Sequence, residues 1–180
     1  MYKWFAFITA AALLTGCSSD QHASTEQPDT ILQEKAVSFE LAGDEVKEAA
    51  SLPTKEKRDL LAAFDEYIAA FNEGDLERYM AMISKNPQGF DYDDDEEAAK
   101  EVFATYDVNR QAVDVTVIDY ESEAAQVFAN LTIDMKERAT GVSLSSSGRQ
   151  VTVFVKEDGE WKVTSVYFIG NETSHVSHIQ

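Results

Sequence analysis

Residues 151–169, V-T-V-F-V-K-E-D-G-E-W-K-V-T-S-V-Y-F-I, constrain the fold more than any other stretch of the chain. Two runs rich in β-branched and aromatic residues flank Asp158-Gly159, a strong short-range hairpin signal. A lone hairpin is marginal in water, so it needs further strands and a covering helix. Its register depends on the turn. With Asp158-Gly159 as the whole turn, Glu157 opposes Glu160 and Val155 opposes Lys162, which mixes apolar and charged side chains on each face. A longer loop, with Gly159 left-handed in a bulge, pairs Lys156 with Glu160, Val155 with Trp161 and Val153 with Val163. That register makes one continuous apolar face, so it is the one expected, with Trp161 pointing inward and Lys162 outward.

The upstream chain supplies the helices and the other strands. From Thr54 the apolar residues take helical spacing, with Leu60, Leu61, Phe64, Tyr67, Ile68 and Phe71 on one side and Lys57, Arg58, Asp65 and Glu66 largely on the other. Thr54 after Pro53 is a candidate N-cap, and Gly74 is placed to end the helix in a left-handed residue. Asp75 then caps a second helix, where Leu76, Tyr79, Met80 and Ile83 repeat the spacing until Asn86-Pro87 stops it. Residues 89–92 read as an edge strand or a loop. Carboxylates from Asp93 to Glu97 then open a third helix through Ala98, Ala99, Val102, Phe103 and Tyr106, facing the positive end of its dipole.

Beyond Tyr106 the period becomes two. Val113, Val115 and Val117 mark one face of a strand, and Thr116, Ile118 and Tyr120 the other. Ala125, Val127, Ala129, Leu131, Ile133 and Met135 alternate with polar residues as a half-buried strand. A Gly- and Ser-rich loop, residues 140–148, leads into the hairpin. Three helices followed by four strands make an α+β domain.

The 180-residue chain has room for one domain plus extra segments. With 33 acidic against 15 basic side chains its net charge is −18, which repels nucleic acid and anionic lipid headgroups. Lys3 followed by the apolar run from Trp4 to Leu14 reads as a signal peptide, being short for a membrane span. Leu14-Thr15-Gly16-Cys17 then resembles the bacterial lipobox, which implies cleavage before Cys17 and acylation of that residue. Residues 1–16 are thus expected to be a lipoprotein signal peptide and 17–53 an acidic, polar tether. A domain at 54–170 and a flexible tail at 171–180 complete the chain. As a flexible coil, the tether spans on the order of 30 Å, enough to hold the domain off a membrane. The expected location is the bacterial cell envelope, with the domain outside the cytoplasm.

Residues 55–169 resemble the nuclear transport factor 2-like (NTF2-like) superfamily, which includes SnoaL-type polyketide cyclases and ketosteroid isomerase. The resemblance rests on Phe71-Asn-Glu-Gly-Asp-Leu-Glu-Arg-Tyr-Met80, Phe103-Ala-Thr-Tyr-Asp-Val108 and Val155-Lys-Glu-Asp-Gly-Glu-Trp-Lys-Val163. It implies three helices packed on a strongly curved, mainly antiparallel sheet, closing a cone around an apolar pocket. Candidate walls are Phe64, Ile68, Phe71, Tyr79, Phe103 and Trp161, unless those side chains fill the cone completely.

Enzymes of this superfamily need a general base and a donor for a developing oxyanion. Asp91, Tyr67, Tyr79 and Tyr106 are of the right type, but the phenols stand at core spacing and Asp91 belongs to an acidic run. No histidine occurs between Thr54 and Ile169. Asp91 to Glu97 lacks the glycine and spaced glutamate of a calcium loop, and His175 and His178 fall in the tail without further ligands. No catalytic residue, metal site or cofactor is assigned.

The reading that follows is a lipid-anchored, non-catalytic domain binding a small apolar ligand or an envelope protein partner. Phe128, Phe154 and Phe168 on the outer face of the sheet are the expected surface for a second copy or such a partner. The alternative is a small isomerase, dehydratase or cyclase, which requires an open pocket holding a carboxylate beside a phenol.

Overall fold

The computed structural model describes residues 46–171 and the backbone of His175–Ser177. The expected signal peptide, the lipid-attachment residue Cys17, most of the tether and His178 lie outside the described residues. Residues 46–53, counted with the tether in sequence, lie against the domain. There Ala49 N–H donates to Val117 O at 2.9 Å, and Val46 packs near Phe128 and Val151.

The described chain forms α1 (Thr54–Glu73), α2 (Leu76–Ala81), α3 (Tyr92–Thr105), β1 (Tyr106–Tyr120), β2 (Ala124–Glu137), β3 (Ser143–Glu157), β4 (Glu160–Gly170) and β5 (His175–Ser177). Helices precede strands, as expected. The sheet runs β1-β2-β3-β4 with antiparallel neighbours, and β5 pairs the start of β3. So part of the expected flexible tail extends the sheet. Among the described residues no helix is long and apolar enough to cross a membrane.

α1 forms because its apolar stripe has something to cover. Leu60 and Phe64 are wholly buried against the sheet, with Tyr67, Ile68 and Phe71 close behind. It starts after Pro53 without a side-chain cap, so Thr54 is its first residue and not its N-cap. Gly74 ends it at φ 66°, and Asp75 caps α2 by accepting from Arg78 N–H at 3.1 Å. α2 is shorter than its periodicity suggests. From Met82 the backbone bonds to the edge strand β4, with Val163 N–H donating to Met82 O and Ser84 N–H donating to Val163 O. Satisfying that edge competes with a further helical turn.

Two boundaries move relative to the sequence reading. α3 ends at Thr105, and Tyr106 already belongs to β1, which begins seven residues before the first alternating valine. β3 takes in most of the expected loop 140–148, because Ser143, Ser145 and Ser147 pair along β2. A register shift between Val113 and Thr116, with Asp114 at φ 55°, changes the phase of β1. Val113 is therefore 58% exposed, while Val115 and Val117 pack on the helix side.

The hairpin also differs from expectation. Asp158 (φ 51°) and Gly159 (φ 86°) form a two-residue turn, pairing Glu157 with Glu160, Lys156 with Trp161 and Phe154 with Val163. The mixed faces are accommodated in two ways. Lys156, on the Trp161 side, reaches Glu56 of α1 at 2.9 Å and lies 5.0 Å over the Trp161 ring, whose N–H also donates to Glu56. A shift between Val153 and Phe154 then leaves Thr164 as an extra residue in β4, so Val153 faces Ser165 and not Val163.

Trp161 and Val163 do point inward, but Val153 and Val155 do not. The two-residue turn also sets Phe154 opposite Val163 in the core, wholly buried, so it is not on the outer face. Phe168 pairs with Gln150 and shares the helix side by register. Phe128 does face outward, but it is only 2% exposed, packed with Val151 near Val46, Ile118 and Tyr167. The expected outer aromatic surface is therefore absent at these three residues.

Candidate functional site

The helices and sheet do not fill the cone. A cavity of about 340 Å³ remains between α1, α2, α3, β1 and β4. Tyr67 and Phe71 come from α1, Tyr79 from α2, Phe90 from the connecting segment, Ala99 and Val102 from α3, and Val166 from β4. The walls are thus largely aromatic and aliphatic. Two charged residues enter it, Asp95 from α3 and Arg110 from β1.

Local rules place both. Asp91 caps α3 by accepting from Asp93 N–H at 2.9 Å and Asp94 N–H at 3.1 Å, which fixes the start of the helix. Asp95 then lies one turn before Ala99 and two before Val102, on the inward face. Arg110 alternates with Val108 and Ala112, both packed on the core, so β1 turns its side chain inward.

The polar groups meet in pairs. Tyr79 O–H donates to the Asp95 carboxylate at 3.0 Å, with the second oxygen at 3.3 Å. Arg110 lies with its guanidinium carbon 3.7 Å from the centre of the Phe71 ring and 5.9 Å from that of Tyr67, whose phenol oxygen is a distant 3.4 Å from Nη1. The rings of Phe71 and Tyr79 pack edge to face at 5.2 Å, and Phe103 closes the aromatic layer 4.8 Å from Phe71. Burial pushes the Asp95 carboxyl above the usual carboxylate range, against the opposing pulls of the Tyr79 hydrogen bond and the Arg110 charge. Burial likewise raises the Tyr79 phenol, helped by the electrostatics of Tyr67 and Asp95.

Of the wall residues named from sequence, Phe71 and Tyr79 line this cavity. Phe103 stands behind them, while Phe64, Ile68 and Trp161 belong to the surrounding core. Asp91 is an exposed helix cap and Tyr106 opens β1, so neither faces the cavity. Sequence reasoning missed Asp95 and Arg110. Helical spacing from Ala99 would have flagged the first, and an earlier start to β1 the second. A wider, open hollow of about 490 Å³ lies at the far end of the sheet between Val108, Met135 and Leu144. Its lining is exposed or half-buried and brings no aromatic residue to bear, so it is the weaker candidate.

With this geometry established, residues 62–169 match the family described as the C-terminal domain of the anti-sigma-I factor RsgI9. The chain belongs to that family. The matched residues run from α1 through β4, and solved structures place this helices-then-sheet architecture among NTF2-like, SnoaL-like folds. A candidate aromatic ring hydroxylase from Novosphingobium aromaticivorans is 14% identical with a TM-score of 0.64, the match covering 69% of this chain and 95% of that one. A ketosteroid isomerase-like protein from Erwinia carotovora atroseptica is 21% identical with a TM-score of 0.53, covering 63% and 95%. An NTF2-like superfamily protein from Salmonella enterica serovar Typhimurium is 12% identical with a TM-score of 0.58, covering 64% and 91%. These likenesses establish the fold, which hosts enzymes and proteins of other kinds. No curated protein matches the sequence significantly.

Proposed function

We propose that the protein is a lipid-anchored, extracytoplasmic binding domain that takes a small, largely apolar molecule into its cone. The observation that carries this reading is the cavity itself: about 340 Å³ walled by aromatic and aliphatic side chains, with a few convergent polar groups. The anchor rests on the motif ending at Cys17. A family named for part of a regulatory factor favours recognition over turnover.

The contact between Tyr79 and Asp95 supports a second reading, an isomerase, dehydratase or cyclase with Asp95 as base and Tyr79 as donor. In the geometry seen, each group satisfies the other. A substrate would have to separate them before either acted, so binding without turnover is preferred.

Titration of the full chain with the neutral fluorophore N-phenylnaphthylamine tests the main reading. Its emission should rise on binding, and Val102→Trp and Val166→Trp, made separately, should each suppress that rise by filling the cavity. No rise, or one indifferent to both substitutions, would sink the proposal. Proton exchange of β-tetralone in deuterated buffer separates the two readings. Exchange that depends on Asp95 would establish turnover, and none is expected.

A further inference from the structure

Arg110 is the anomaly of this cavity. Arg58, Arg78 and Arg138 each pair with at least one carboxylate, of Asp59, of Glu66 and Glu73, and of Asp107 respectively. Arg149, half-buried on β3, forms no ion pair among the described residues either, but it does not line the cavity. Arg110 lies deeper, half-buried in the cone, yet no carboxylate among the described residues forms an ion pair with it. Its Nε is buried without any hydrogen-bond partner, and its single polar side-chain contact is the long one to Tyr67. In a chain with 33 acidic side chains, a carboxylate partner would have been easy to supply. Keeping a guanidinium in a largely apolar cavity, where the one lining carboxyl, Asp95, is hydrogen-bonded to Tyr79 and only feels its charge at longer range, is unfavourable unless another group completes it.

The backbone beneath Arg110 is held with unusual care. β1 is an edge strand, and at Arg110 no neighbouring strand takes its outward-facing groups. The side chain of Asn72, in the last turn of α1, stands in for one. Its Nδ2 donates to Arg110 O at 2.9 Å, and its Oδ1 accepts from Arg110 N–H at 2.7 Å. Both halves of the amide are thus committed to a single residue of β1. Phe71, the neighbour of Asn72, provides the ring over which the guanidinium lies. One helical turn therefore holds the backbone of Arg110 and supplies the ring over which its guanidinium lies.

We propose that the ligand carries a carboxylate or similar planar anion bound by Arg110, and that Asn72 is the positioning residue that aims it. The inference rests on the cavity being a binding site. A guanidinium stacked on an aromatic ring keeps its in-plane N–H groups free for a two-point bond to a carboxylate, which a neutral amide cannot match in strength. The aromatic walls fit an aromatic or aliphatic body behind that group. Asp95 is the one carboxyl facing the site, and its hydrogen bond from Tyr79 disperses its charge. Its tendency to hold a proton further limits repulsion of an incoming anion.

Calorimetric titration of the full chain with naphthoate and with naphthamide, neutral but nearly the same shape, tests this. Naphthoate should bind about tenfold more tightly, as expected when a charge-assisted pair replaces a neutral one. Arg110→Gln should abolish that preference, lowering naphthoate affinity far more than naphthamide affinity, and Arg110→Lys should restore only part of it. Asn72→Ala should reduce the acid-to-amide ratio, and retained naphthamide binding reports that the variant is folded. If Asn72→Ala does not fold, Asn72→Ser carries the same reading. Equal affinities for acid and amide, with N-phenylnaphthylamine still bound, would overturn the anion assignment and leave the cavity reading standing. A preference that survives Arg110→Gln would overturn the role of Arg110, and a ratio unmoved in the Asn72 variant would overturn that of Asn72. Absence of binding by all three probes would overturn both proposals.

Discussion

Asp95 stands in the first turn of α3, where a negative charge ordinarily gains from the helix dipole, yet its carboxyl is turned into the cone. The dipole contributes about 0.3–1 kcal/mol at such a position. Loss of hydration outweighs it, since the carboxyl is raised above its ordinary range despite the Tyr79 hydrogen bond and the Arg110 charge. The sign of the stability effect follows from linkage. A carboxyl that holds its proton more tightly when folded stabilises the folded state fully below the unfolded value, about pH 3.9. That contribution is lost as pH rises through the folded value. Asp95→Asn removes the ionisable group and keeps an oxygen to accept from Tyr79. Urea unfolding midpoints of wild type and variant should therefore diverge in favour of the variant as the pH rises above about pH 4. Parallel curves would show that Asp95 carries no such penalty. Carboxylates whose acidity is strengthened by a cation, such as Glu66 beside Arg78, act with the opposite sign and cancel in the comparison.

At the level of the element, the hairpin shows how a turn and a distant helix share one decision. Gly159 has φ 86°, and a Cβ built there would meet nothing within 4 Å. Its requirement is therefore purely one of backbone conformation. Gly159→Ala should cost about 1 kcal/mol, read as a lower urea midpoint with unchanged slope. A neutral result would mean that the turn relaxes to a longer loop, the one expected from the local pattern. That pattern was misleading because both compensating features are remote in sequence. Glu56 precedes Lys156 by a hundred residues, and Thr164 is accommodated as an extra residue by accepting from Gln88 N–H on the edge segment. Face-by-face counting over the hairpin alone has no access to either.

For the whole molecule, the proposed anchor rests on the motif ending at Cys17, outside the described residues. Labelled palmitate should enter the wild-type chain and not Cys17→Ser, and unchanged membrane retention of a cleaved Cys17→Ser form would refute the anchor. Within the described chain, much of the architecture was legible in sequence because it rests on local rules. Apolar period fixes α1 and β2, Gly74 and Asp75 fix the break between the first two helices, and helices before strands fix the α+β class. Tyr79 and Phe71 were legible as inward residues for the same reason. Periodicity reports only that a side chain faces inward, not whether it meets another side chain or a space. Phe64 and Tyr79 have equivalent spacing, but one is packed in the core and the other lines the cavity. That difference is set by how the helices pack over the sheet, which no local pattern encodes. Asp95 and Arg110 are more than a dozen residues apart and come from different elements, and only closure of the cone brings them to one cavity.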